Sequence, residues 1–343
     1  MSKVILRNNR ILENYGEPYF VAEFNTSHNG SVETAKEMIR QAKEVGCDCV
    51  KFQSWSTESL YSKTYYDDNP IAKRFVKKFA LNESELLDLA AYCKEVGISF
   101  ASTPYSQQEV DFLIDQCDVP YIKIASMDLV TYPFLEYIAK KDVPIVLATG
   151  MGDINEIRKA VSVIENAGNQ KISILHCISV YPAEIESINL NNLTGLKEEF
   201  PDYPIGFSDH SLGCEMPIAA IGLGAAMIEK HFTLDKTKIG MDNQMAMEPD
   251  EMRSMINQCR NVHVGLGIKD RVVSAEELEQ RIKMRRSIVV IRDMAVGSTI
   301  QIEDLGMKRP GTGIPPEQLQ DLIGKKLITD VNKDSLISNK DFE

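Results

Sequence analysis

Short apolar runs alternate with amphipathic segments through the first 232 residues. The runs are YFVAEF (19–24), CVKFQ, ISFAS, YIKIA, PIVLAT, ISILHC, PIGFS and AAMIEKHF. Runs of this length that are apolar on both faces are the buried strands of a parallel sheet. Between them, apolar residues recur every three or four positions near 32–45, 83–96, 107–116, 132–140, 154–167, 193–200 and 215–224, which predicts helices, and 252–264 supplies an eighth. One strand followed by seven helix–strand pairs with short connections gives eight parallel strands, the number that closes a (β/α)8 TIM barrel of the α/β class. The alternative is a doubly wound open sheet. That fold normally carries a glycine-rich turn after its first strand, where this chain reads EFNTSHNG.

The pattern changes near residue 270. DRVVSAEELEQRIKMRR is charged and helical, and after it short β-type runs (SIVVI, LITDV) stand among turn signals (AVGS, RPGTGIPP). The expected organisation is a barrel over 1–269, a linker over 270–286 and a small β-rich domain over 287–343. A unit of roughly sixty residues is near the lower limit for independent folding.

Composition narrows the function. A hydrophobic content of 43% is ample for a core, and a net charge of −12 without any basic run argues against nucleic acid or an anionic membrane as partner. An anionic substrate would have to be met by individually placed lysines and arginines. No apolar run reaches the roughly 18 residues that span a bilayer, and MSKVILRNNR lacks the apolar centre of a signal peptide, so a cytoplasmic protein is expected. The seven cysteines contain no CxxC pair and read as reduced core thiols.

The carboxyl ends of barrel strands are where ligands bind. Here they carry Glu23, Lys51 and Gln53, Thr103, Lys123 and Ser126, Thr149, Ser179 and Tyr181, Ser208 and His210, then Glu229 and His231. Lys51 and Lys123 each interrupt an apolar run, and a buried ammonium is costly unless it meets an anion. With Thr103, Ser126 and Ser208 nearby, the two lysines suit a phosphate and a carboxylate together; the alternative is an ion pair across the barrel to Glu23 or Glu229. His210 and His231, from adjacent strand ends, suit one divalent metal, and otherwise cap their strands by hydrogen bonding.

AEFNTSHNGSVETAKEMI, DCVKFQSW, FASTPYS, YIKIAS, LATGM, IGFSDHS, EKHFTLD and KRPGTGIPP together resemble the sialic acid synthases, the nonulosonate synthases that include the legionaminate and pseudaminate enzymes. The resemblance spans nearly the whole chain, in order. It implies a barrel followed by an SAF, or antifreeze-like, domain. It further implies a homodimer whose small domain covers the partner's active site, and condensation of phosphoenolpyruvate with an N-acylated hexosamine aldehyde. A divalent metal is implied too, manganese with magnesium or cobalt as alternatives. On that resemblance Lys51, Thr103, Lys123, Ser126, Ser179 and Ser208 bind phosphoenolpyruvate, and His210 and His231 hold the metal. Glu23 handles protons; Gln53, Asp128, Tyr181, Asp242 and Arg309 meet the sugar. Glu229 is either an orienting residue or the partner of Lys230. The chain departs from the family pattern at EFNTSHNG, at Ser179 and at Met241-Asp242-Asn243, and 61–79 has no match to the family's sugar-contacting asparagine, so it is the sugar end that differs.

Two other readings compete. A class I aldolase would form a Schiff base on Lys51 or Lys123 and needs a lysine of lowered pKa without a metal. A carbohydrate- or ice-binding protein would leave the reactive strand ends without purpose.

Overall fold

The computed structural model describes residues 2–343, and the chain divides into two compact units, Met1–Gly267 and Ile268–Glu343. The first unit opens with an antiparallel hairpin of β1 (Lys3–Ile5) and β2 (Ile11–Glu13). The sequence pattern does not announce it, because each strand alternates and buries a single residue, Val4 or Leu12.

Eight parallel strands follow: β3 (Tyr19–Glu23), β4 (Cys49–Ser54), β5 (Ser99–Pro104), β6 (Ile122–Ile124), β7 (Ile145–Ala148), β8 (Ile172–Cys177), β9 (Ile205–Asp209) and β10 (Met227–His231). Their ladder runs β5-β4-β3-β10-β9-β8-β7-β6, and the end strands β5 and β6 lie side by side. The expected barrel is therefore present, nearly closed. Its helices start where the sequence supplies caps: Ser31 accepts from the Thr34 N–H before Val32–Glu44, and Asn82 with Glu85 forms a capping box before Glu83–Val96, which Gly97 ends at φ 77°. The eighth helix, Pro249–Leu266, begins earlier than its apolar repeat because Pro249 and the Glu248–Glu251 capping box extend it.

Residues 61–79 depart from the simple repeat. They form two extra helices, Lys63–Asp68 and Pro70–Phe79, between β4 and the helix that follows it. Tyr66 and Val76 from this insertion pack with Trp55 in a small separate core.

Within the barrel the two-residue repeat sorts side chains between two cores. Phe20, Val50, Ile122, Ile145, Ile174, Phe207 and Ile228 face the helices. Val21, Cys49, Ala101, Tyr121, Val146, Leu175 and Met227 fill the interior, with Val4, Leu6 and Leu12 of the hairpin region packed on them. A Cβ on Gly206 would lie 2.5 Å from Leu175 Cδ2 and 2.8 Å from the Met227 carbonyl oxygen, so glycine is what lets β9 fit beside them. All seven cysteines are free thiols, and six are buried.

The second unit begins with the exposed helix Ala275–Met284, capped by Ser274. β11 (Ser287–Val290) pairs antiparallel with β12 (Leu305–Lys308), and Ile288, Val290, Met294, Ile300, Ile314 and Leu322 belong to this unit's own core. LITDV, expected as a strand, contributes only isolated bridges from Leu327 and Val331. Asp330 between them accepts the Val296 N–H at 2.7 Å, an anchor that competes with extended pairing. No helix among the described residues is long and apolar enough to cross a membrane.

Candidate active site

Two residues beyond the apolar interior layer, the same inward-facing positions carry Glu23, Lys51, Thr103, Lys123, Ala148, Cys177, Ser208 and Glu229. They line a cavity of about 400 Å³ at the carboxyl ends of the strands. One strand period thus separates a packed floor from a reactive layer.

Lys51 and Lys123 are both almost fully buried. The Lys51 ammonium contacts Glu23, donates to Thr103 Oγ1 at 3.2 Å and lies 3.9 Å from Glu229. Lys123 donates to Glu229 Oε1 at 2.9 Å, and Ser208 Oγ donates to the same oxygen at 3.0 Å. Burial disfavours the Lys51 ammonium, but Glu229 and Glu23 outweigh it and raise its pKa. For Glu229, desolvation is likewise outweighed by Lys123 and Lys51, which lower its pKa. Ion pairs are thus present for both lysines, Lys51 with Glu23 on the neighbouring strand and Lys123 with Glu229 across the barrel. Pairing of Glu229 with Lys230 does not occur. Neighbouring strand residues point to opposite faces, and Lys230 binds Asp209 on the outside.

Glu23 Oε1 accepts the Asn25 backbone N–H and the Gln53 side-chain N–H, each at 2.9 Å, while the Gln53 carbonyl accepts from Tyr105 at 2.6 Å. Gln53, expected at sugar hydroxyls, lines the cavity and also orients Glu23. Ser126, Ser179 and Ser208 also line it. Ser126 Oγ accepts the Gly150 N–H at 3.0 Å, and a Cβ at position 150 would sit 2.2 Å from Ser179 Oγ and 2.8 Å from Ser126 Oγ. Glycine at 150 is the condition for these hydroxyls to close on one backbone. Thr149 instead donates to the Leu175 carbonyl.

The imidazoles of His210 and His231 lie 5.2 Å apart, centroid to centroid, beneath the Tyr181 ring. His210 Nδ1 donates to the Ile178 carbonyl at 2.7 Å, and His231 Nδ1 donates to Asp242 at 2.6 Å. Such bonds fix the tautomer that leaves Nε2 free to ligate, the arrangement of metal-binding histidines. Burial, helped by His231, depresses the His210 pKa to about 3, so it is neutral at working pH. For His231 burial is outweighed by Asp242, and its pKa is raised. Asp242 also accepts from Asn25 Nδ2, while its Oδ1 is buried without a partner. Among the described residues no cluster of three or more His, Cys, Asp or Glu side chains could hold a metal alone. The donor set fits a cation held by two imidazoles, with Asp242 beside it.

The upper wall is Trp55, Leu60, Tyr61, Met127, Met151 and Met241. Sequence reasoning gave none of these residues a role in the site, because an apolar residue on a loop carries no chemical signature; it also missed the polar Asn25 and Tyr105, each just past the end of a strand. Asp128 ends the turn Ser126–Asp128 and is half-buried, outside the lining set, its pKa raised by burial. Arg309 is exposed in the second unit.

A NeuB family model matches residues 38–271 and an SAF domain model matches residues 285–343. The chain belongs to the NeuB family. This NeuB-family chain is 41% identical to an uncharacterized protein of Methanocaldococcus jannaschii over 94% of both chains. It is 37% identical to the N,N'-diacetyllegionaminic acid synthase of Legionella pneumophila over 90% of both. In structure it resembles an N-acetylneuraminic acid synthetase from Leptospira borgpetersenii, with a TM-score of 0.75 and 29% identity over 81% of this chain and 95% of the other.

Proposed function

We propose that the chain is a nonulosonic acid synthase that condenses phosphoenolpyruvate with a neutral N-acylated hexosamine. The acceptor is of the N-acetylmannosamine or 2,4-diacetamido-trideoxyhexose type, and the products are a 3-deoxy-2-keto nine-carbon sugar acid and phosphate. The observation that carries this reading is the convergence of two charged lysines and four hydroxyls, Thr103, Ser126, Ser179 and Ser208, beside two imidazoles in one cavity. Lys51 and Lys123 meet the phosphate and carboxylate by charge, and the hydroxyls by hydrogen bonds. C3 of phosphoenolpyruvate bonds to the acceptor's aldehyde carbon. Water adds at C2, with Glu23 taking its proton. The resulting tetrahedral centre collapses, the C–O bond to phosphate breaks, and the 2-keto group remains. His210 and His231 would hold manganese, magnesium or cobalt, which when bound would supply a Lewis acid for the aldehyde oxygen. A Schiff-base aldolase would need a depressed lysine, whereas the pKa of Lys51 is raised.

Above the lysine layer the lining carries Asp242 and neutral polar and apolar side chains, but no further lysine or arginine. The acceptor is therefore read as uncharged. Phosphate release from phosphoenolpyruvate should proceed with N-acetylmannosamine or a 2,4-diacetamido-trideoxyhexose. It should fall about tenfold or more in kcat/KM with the 6-phosphorylated analogue, since like-charge juxtaposition costs several kcal/mol. Mass spectrometry of the products checks both the reaction and the preference; release with none of these aldehydes would refute the function.

Arg309 stands on a loop held within its own unit. Ser287 Oγ donates to the Pro310 carbonyl at 2.7 Å and accepts the Gly313 N–H at 2.9 Å, and Ile314 is buried. A fixed loop loses less entropy when its arginine binds. In a homodimer with the small domain over the partner's barrel, Arg309 reaches the acceptor there. Mixing Arg309→Ala with His210→Ala subunits should then restore up to about a quarter of wild-type activity by random pairing and one intact site per heterodimer. If subunit exchange is demonstrated and activity does not return, Arg309 does not act in trans.

A further inference from the structure

Lys230 and Asp209 stand opposite each other in the β9–β10 ladder. Both are about 1% exposed. Their sequence neighbours Glu229 and Ser208 face the cavity, so this pair lies on the outer face of the barrel. The Lys230 ammonium binds Asp209 Oδ2 and the Ser211 carbonyl, and Asp209 Oδ1 accepts the Ser211 N–H at 2.8 Å. One ammonium therefore grips the residues on either side of His210, and its own residue immediately precedes His231.

Stability alone does not require this arrangement. A buried ion pair is often matched or surpassed by an apolar pair of similar volume, because desolvating two charges consumes most of their attraction. What an apolar pair lacks is direction. β9 ends at Asp209, so His210 lies beyond the ladder. Its imidazole is anchored to the Ile178 carbonyl and its own carbonyl accepts the Ala183 N–H, both in the segment after β8, whereas the His231 imidazole is anchored to Asp242. Those anchors hold each ring to a different loop. Beyond the backbone ladder, Lys230 adds a side-chain link on the outer face from the strand end that bears His231 to the residues on both sides of His210.

We propose that Lys230 and Asp209 are positioning residues that fix the spacing of the two metal-binding imidazoles from outside the barrel. The proposal rests on His210 and His231 being the ligands.

Mn²⁺ binding to purified, substrate-free protein, read from the electron paramagnetic resonance signal of the free ion, tests it separately from activity. The proteins to compare are wild type, His210→Ala, Asp209→Asn and the apolar pair Asp209→Leu with Lys230→Met. Thermal unfolding of each metal-free protein is measured alongside. Asp209→Asn and the apolar pair should bind Mn²⁺ about 10–100-fold more weakly, the range typical of residues that orient metal ligands. The apolar pair should do so with a Tm near that of wild type, and Asp209→Asn keeps the side-chain volume should the apolar pair fold poorly. A merely structural pair would lower the Tm of Asp209→Asn and leave the Mn²⁺ affinity of the folded protein unchanged. Wild-type Mn²⁺ affinity in either folded variant, with His210→Ala weakened, overturns the positioning role and leaves the ligand assignment standing. Wild-type affinity in His210→Ala removes the ligand assignment, and the positioning role with it.

Discussion

Lys123→Met should weaken phosphoenolpyruvate binding by about 30-fold to several thousandfold, the equivalent of about 2–5 kcal/mol for one partner of a buried charge pair. The same substitution should leave the acceptor's KM within about threefold of wild type, because a contact made to one ligand alone moves that ligand's KM. Methionine keeps most of the apolar stem, so the interior layer stays packed. One of the cavity's two ammonium groups is lost, and Glu229 keeps the Ser208 hydroxyl but no cation nearer than Lys51, 3.9 Å away. Adding Glu229→Gln to Lys123→Met relieves the unpaired carboxylate without restoring the cation. The double variant should therefore regain stability but not affinity. Trp55, the single tryptophan of the chain, lines the cavity, so its fluorescence gives a binding readout besides the KM for phosphate release. Lys51 has its pKa raised above 10.5, so its charge persists through neutral and mildly alkaline pH and is lost only above that value. Phosphoenolpyruvate affinity should accordingly show no loss from Lys51 between about pH 7 and 9. Unchanged affinity in Lys123→Met, or a borohydride-trapped pyruvate adduct on either lysine, would replace this account with the imine one.

The parts of this molecule that were legible in the sequence are those where one residue type has one physical use. Eight apolar runs can only be buried strands, and lysines within two of them must find anions; the structure supplies Glu23 and Glu229. His210 and His231 were legible as polar residues at the ends of buried strands, His210 just beyond β9 and His231 the last residue of β10. Where a side chain has several uses, the sequence was silent or wrong. Gln53, expected at the sugar, lines the cavity and also donates to Glu23, a contact on which the sequence was silent. Glu229 next to Lys230 suggested a pair, but strand alternation sends them to opposite faces, and only the register of β9 against β10 shows that Lys230 meets Asp209. The upper wall was hidden more completely. Tyr61 is brought to the cavity at the start of an insertion whose helices bury only Tyr66, Val76 and Phe79. Gly150 carries no signal in the sequence either, and only the approach of Ser126 and Ser179 shows what a side chain there would displace.

Replacing His210 or His231 by alanine should lower metal-dependent phosphate release about a thousandfold or more. With two imidazoles as the protein's nitrogen donors, removing one leaves a site too weak to fill at ordinary metal concentrations. The Lewis-acid contribution of several kcal/mol to the barrier is lost with it, at a factor of ten for each ~1.4 kcal/mol. The two variants should differ in what else they disturb. His231 is tied through Nδ1 to Asp242, which also holds Asn25, and the Asn25 backbone N–H in turn binds Glu23. Losing His231 therefore loosens the proton-handling carboxylate as well, and its activity should not recover when Mn²⁺ is raised. The His210 imidazole hydrogen-bonds the Ile178 carbonyl and lies near the Cys177 thiol, neither of which holds Glu23, so His210→Ala should recover part of its rate at high Mn²⁺. His263, on the outer helix Pro249–Leu266 and outside the cavity, is the control, and its alanine variant should match wild type. Titrating Mn²⁺ into chelator-treated protein while following phosphate release separates these outcomes. Full activity in both His210→Ala and His231→Ala without added metal would show that neither imidazole serves a metal, and equal recovery of both variants would show that His231 does not act on Glu23 through Asp242 and Asn25.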